Sequence, residues 1–144
     1  MGYLVNQDII DRVGNARAVQ LTSDSGSTVN TAVLDEVRQA AEGEVNGYLA
    51  RRYATPVDLT THADLAATLK SFTLDVATYR LAQRRPPIAE AIVKARQDAI
   101  EWLTKVSQGT IVLPAAATPA STSSDDPKPA WGSSEQNAAK LREL

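Results

Sequence analysis

Apolar residues in this chain recur in four periodic runs separated by turn formers and prolines. In the first run Asn6 offers an N-cap, Gln7 and Asp8 fill a first turn, and Ile9, Ile10 and Val13 form a small apolar face. Gly14 follows where a left-handed C-cap is wanted, so a short helix is predicted there. Val19 and Leu21 come next without a period, and Thr22-Ser23-Asp24-Ser25-Gly26-Ser27-Thr28 reads as a loop. A long second helix is predicted from its cap Asn30, because Val33, Val37, Ala41, Val45, Tyr48 and Leu49 recur at spacings of three and four. Pro56 biases Thr55 away from helical geometry, which places the end of that helix near Tyr53. Thr60 or Thr61 caps a third helix with Leu65, Leu69, Phe72, Val76 and Tyr79 as its stripe, broken at Pro86-Pro87. Pro87 suits the first position of a fourth, which carries Ile88, Ile92, Ala95, Ala99, Trp102, Leu103 and Val106 and stops at Gly109. Thr110-Ile111-Val112-Leu113-Pro114 is a short β-prone, extended segment.

This pattern predicts an all-α fold, a small bundle of about four helices with one long antiparallel pair and a short extended segment after the last helix. Residues 1–113 form the helical domain and 114–144 a flexible C-terminal arm. From Ala115 to Ser134 the chain is Ala, Thr, Ser and Pro with Asp125-Asp126-Pro127-Lys128-Pro129, a composition that builds no core. Trp131 is the one large anchor in that stretch. Beyond it Ala138, Ala139, Leu141 and Leu144 share a side of a possible terminal helix, too short to be stable alone. Trp131, Leu141 and Leu144 are therefore the candidate partner-docking residues of the arm.

An apolar share of 43% over 144 residues fits one domain with a real core. A formal charge of −2 argues against broad capture of nucleic acid, which wants a basic face, but is compatible with a surface past which DNA slides. With no cysteine, a disulfide, a zinc–thiolate site or a thiol nucleophile is excluded. The N-terminus lacks the basic and apolar regions of a signal peptide, and the apolar runs are too short to span a bilayer. A soluble protein without a membrane partner is expected.

No catalytic or metal-binding pattern stands out, and no cofactor is implied. The single histidine, His62, has no partner motif, and no phosphate loop, dinucleotide fingerprint or zinc helix is present. Asp24-Ser25-Gly26-Ser27 lacks the alternating ligands and closing Glu of a calcium loop and reads as a turn. Glu36, Glu42 and Glu44 read as a solvated face, and Arg52 is expected to pair with Asp75, an acid inside an apolar helix. Gly43 and Gly47, four apart within the second helix, suggest close approach of another backbone, either in the same chain or in a neighbouring subunit. The candidate structural and interface residues are thus Gly43, Gly47, Tyr48, Arg51, Arg52, Tyr53, Pro56 and Asp75. An alternative reading is a small helical DNA-binding or regulatory module. Its recognition residues would be Lys94, Arg96, Gln97 and Lys105 on the fourth helix, a thin set.

Four segments in order carry a family resemblance: Tyr3–Gly14 with Leu21-Thr22; Val45–Val57; Leu74–Leu81; and Ala99–Leu103 with Gly109–Leu113. Val45-Asn46-Gly47-Tyr48-Leu49-Ala50-Arg51-Arg52-Tyr53-Ala54-Thr55-Pro56-Val57 is the most specific of them. In these the sequence resembles the Mu-like gene product thirty-six family of tailed-phage neck proteins, which are small head–tail connector or head-completion proteins. The resemblance covers Met1 to Leu113 and departs in the loop and in the arm. It implies a structural, non-enzymatic role in the virion neck, assembled in the host bacterial cytoplasm. The implied assembly is a homo-oligomeric, dodecameric ring under the portal protein, which extends the DNA channel without sequence-specific binding. A tail or tail-completion protein would attach below.

Overall fold

The computed structural model describes residues 2–60 and 63–114. Five helices make up the fold: α1 (Asn6–Val13), α2 (Asn15–Thr22), α3 (Thr31–Leu49), α4 (Ala63–Ala82) and α5 (Glu90–Gln108). Among the described residues there is no strand segment, so the expected all-α class holds, with one helix more than the apolar pattern announces.

That extra helix is α2. Gly14 separates it from α1 with φ 87°, and its N–H closes α1 on the Ile10 carbonyl at 2.8 Å. Only Ala18, Leu21 and Thr22 of α2 are buried. Two of its C-terminal carbonyls find partners from another element. Arg84 Nε donates to Leu21 O at 2.8 Å and Arg85 Nε to Gln20 O at 2.7 Å, so the arginines just beyond α4 cap α2.

Asn30 is the cap of α3, its side chain accepting from the N–H groups of Ala32 and Val33. The inward stripe runs Leu34, Val37, Ala41, Val45, Leu49, with Val33 half-buried beside it. The helix stops at Leu49, four residues before the expected end, and residues 50–52 form a turn. Two further boundaries move. Asn6 is the first residue of α1, not its cap, because its amide is engaged elsewhere: Nδ2 donates to Asp35 at 2.7 Å, and its Oδ1 accepts from Arg38 at 3.1 Å. Pro87 lies three residues ahead of α5, whose N-cap is Ala89. Thr60 is bound to Asp58 instead of capping α4, and Thr61 and His62 lie outside the described residues.

Two apolar clusters show how the long helices run. One joins Val45 and Leu49 of α3 to Leu65 and Leu69 of α4 and to Leu103 and Val106 of α5. The other joins Leu34, Val37 and Ala41 to Leu74, Val76, Ala77 and Leu81, with Ala99. The start of α4 thus meets the ends of α3 and α5, so α4 is antiparallel to both. As the middle helix it is buried on most sides, Thr73 and Thr78 included, and their hydroxyls donate to the carbonyls of Leu69 and Leu74. The extended segment after α5 returns to the first cluster, with Leu113 buried and Val112 exposed. Gly109, at φ 82°, makes that turn possible, and a Cβ there would strike the guanidinium of Arg52.

Candidate functional site

The second half of α3 and the corner after it hold most of the residues singled out in the sequence. Gly43 and Gly47 lie on the exposed side of α3, and a Cβ built on either meets nothing within 4 Å. Among the described residues, no helix of the same chain packs against them. Helical phase puts them in line with exposed Glu36 and Ala50, a shallow strip with little side chain. Tyr48, one residue on, turns the other way and packs half-buried on the first cluster.

At the corner, Tyr53 is buried and its hydroxyl accepts the Leu113 N–H at 2.9 Å. A second tyrosine does the same for the other end of the described chain. Tyr3 donates its hydroxyl to Asn46 Oδ1 at 2.6 Å and accepts the Val57 N–H at 3.0 Å. Burial pushes the Tyr3 phenol above its ordinary value; the Val57 N–H opposes this and the Glu42 carboxylate adds to it. Pro56 is exposed and edges a small hollow with Gly2, Tyr3 and Val57. Arg51 and Arg52 are exposed, and among the described residues neither forms an ion pair.

The acids of α3 do not form a solvated face as a group. Glu44 is the most engaged carboxylate in the fold: Arg80 of α4 binds Oε2 at 2.6 Å and Arg96 of α5 binds Oε1 at 2.8 Å, which ties three helices at one point. Arg96 also lies over the Tyr79 ring, 4.9 Å from its centroid, while its Nε is buried without a hydrogen-bond partner among the described residues. Glu42 accepts the Leu4 N–H at 2.9 Å and pairs with Arg38 at 3.4 Å, holding the N-terminal segment on α3. Glu36 alone is exposed.

Asp75 pairs with Arg12 of α1 at 2.8 Å, not with Arg52, which sits at the far end of the bundle beside Gly109. Asp75 also lines a groove of about 450 Å³ between α1, α2, α4 and the start of α5, whose walls include Val13, Leu21, Ala82, Pro87, Ile88 and Ile92. On α1, partial burial pushes the Asp8 carboxyl up. The Lys70 ammonium at 2.7 Å and the Val5 N–H outweigh that and hold it below its ordinary value.

Three of the four polar residues on α5 that a DNA-reading helix would use are committed within the chain. Lys94 bonds Asp98, Lys105 bonds Glu101, and Arg96 is held by Glu44. The loop at Asp24 is a turn closed by the Gly26 N–H on Ser23 Oγ, and Asp24 itself faces the guanidinium of Arg85. Among the described residues no three His, Asp or Glu side chains gather as metal ligands, and no helix is long and apolar enough to cross a membrane. Trp131, Leu141 and Leu144 lie outside the described residues.

Of the residues singled out in the sequence, the structure brings Tyr48, Tyr53 and Pro56 to one end of the bundle and leaves Asp75 at the other. The two tyrosine clasps, the Glu44 node and the groove had no signal of their own in the sequence, since each depends on segments distant in sequence meeting. Compared with known families, residues 3–129 match the one described as "Bacteriophage Mu, Gp36". The match runs past Leu113 into the arm and ends two residues before Trp131. No curated protein matches the chain.

Proposed function

From the premise that this chain belongs to the bacteriophage Mu Gp36 family and is a phage structural protein, we propose that it is a head–tail connector. In this reading copies assemble into a closed ring, twelve if it copies the symmetry expected from the resemblance, beneath the portal protein at the neck of the virion. The ring lengthens the DNA channel and gives a tail or tail-completion protein its platform. The observation that carries the reading is the family match across nearly all of the described residues.

Four features of the chain support it. The bundle is knit internally by Glu44 and by the two tyrosine hydroxyls, which suits a part that must stay rigid under force. The Gly43–Gly47 strip of α3 is bare, so a helix of a neighbouring copy can approach it closely. Arg51 and Arg52 stand exposed at the end of the bundle where the chain leaves toward the arm. The formal charge of −2 suits a channel wall that lets DNA pass without gripping it.

The test is co-expression with the portal protein of the same phage, followed by negative-stain imaging. Rings seated on the portal vertex are expected, and removal of Ala115–Leu144 should weaken their attachment. A full chain that never associates with portal would sink the connector reading. A free chain that stays monomeric would not, because an adaptor of this kind can assemble on its template.

A further inference from the structure

We propose that the groove between α1, α2, α4 and α5 is the seat of Trp131 from the C-terminal arm of the same chain. This does not rest on the connector reading, because it concerns a single copy. The groove is apolar along Val13, Leu21, Ala82, Pro87, Ile88 and Ile92, and holds about 450 Å³. A recess of that volume with apolar walls has room for a large side chain.

Three arguments select Trp131 as the occupant. First, it is the one large apolar side chain between Ala115 and Ser134, and an indole has the size and the flat shape to cover such a wall. Second, an indole N–H needs an acceptor when buried, and the groove supplies Asp75. Its Oδ1 is taken by Arg12, while Oδ2 has no hydrogen bond among the described residues. Arg12 and Arg17 line the same groove, and Asp125-Asp126 precede Trp131 by five and six residues, so the charges of arm and rim are complementary.

Third, the reach fits. Leu113 is held in the cluster of Val106, and the groove wall at Ile92 lies fourteen residues back along α5, about 21 Å of helix rise. Sixteen residues lie between Pro114 and Trp131. Even a chain as flexible as a Gly-rich one would reach about 21–25 Å root-mean-square over that length, and the three prolines of this stretch extend it further, so the arm can span the distance. The arm then shields the groove of its own chain, and Trp131 leaves it only for a stronger site.

The experiment uses the full chain carrying Trp102→Phe, so that Trp131 is the only tryptophan. A seated Trp131 emits at shorter wavelength than a free tryptophan amide, and acrylamide quenches it about three- to tenfold less, the shielding expected of a side chain buried in a pocket. Both signals should hold over about a hundredfold dilution, as an intramolecular contact requires. Adding Ile92→Glu should return Trp131 to the solvent-exposed signal with the helical circular dichroism kept. Exposed emission with the groove intact overturns the proposal, as does shielding that Ile92→Glu leaves unchanged. Shielding lost on dilution overturns it in favour of an arm from a second copy. If Ile92→Glu does not fold, Trp131→Ala reads the contact from the arm. Methyl resonances of Val13, Leu21 and Ile92 should then shift relative to the unaltered chain, and unmoved resonances refute the docking.

Discussion

At the scale of single residues, Glu44 shows how an ordinary-looking acid becomes structural. In the sequence it stands with Glu36 and Glu42 on a helix and resembles any solvated carboxylate. In the fold its two oxygens are divided between Arg80 and Arg96, and its side chain is 16% exposed against 37% and 30% for the arginines. Because the arginines keep contact with water, the node is weaker than a fully buried pair. Glu44→Gln is expected to destabilise by about 1–3 kcal/mol, measured by denaturant unfolding, and more than Glu36→Gln, which should stay within about 0.5 kcal/mol. Asp8 makes a pH-dependent contribution. Its folded value lies below the ordinary 3.8, so its pairing with Lys70 stabilises above that value and is lost as pH falls through the folded one. Asp8→Asn should therefore lower stability at neutral pH and flatten the acid limb of a stability–pH curve. An unchanged acid limb would show that Lys70 does not hold Asp8 in solution.

Elements differ in how plainly they announce themselves. The three long helices are legible because each carries an apolar stripe over about four turns, and the strong signals at Asn30 and Gly109 are realised as caps. The short helix α2 was not legible, since its inner face is Ala18, Leu21 and Thr22, too small and too polar to show a period. The end of α3 falls short of the position that Pro56 suggests, because Pro56 disfavours helix at Thr55 but does not oblige the helix to last that long. The glycines of α3 were ambiguous for a physical reason: a bare helix face looks the same in sequence whichever backbone approaches it. With no neighbour among the described residues, Gly43→Ala and Gly47→Ala should each stabilise the free protein by up to about 1 kcal/mol, a gain of several degrees in Tm. If the strip is a subunit contact, larger residues such as Gly47→Gln should leave the fold intact and reduce assembly on portal. Full assembly by that variant would free α3 from the interface.

For the whole molecule, the separation of bundle and arm can be tested by truncation. A chain ending at Pro114 should keep its cooperative unfolding and helical content. One ending at Gly109 loses buried Leu113 and leaves the Tyr53 hydroxyl without its N–H, at a cost of about 2–4 kcal/mol. Equal stability of the two would make the extended segment a passive lead into the arm. The sequence could place the division near residue 113 because composition changes sharply there, but could not say what holds the junction. The Tyr53 phenol does so at Leu113, and beside it in the same apolar cluster Tyr3 holds the N-terminal segment to Val57. They fix the point of departure of the arm at a single pole of the bundle. Rotational symmetry repeats that pole on one side only, so any closed ring of these chains is a two-faced object. Every arm would depart at the same level along the ring axis. Such a ring cannot be inserted upside down without presenting a different chemistry, which gives a symmetric part a direction.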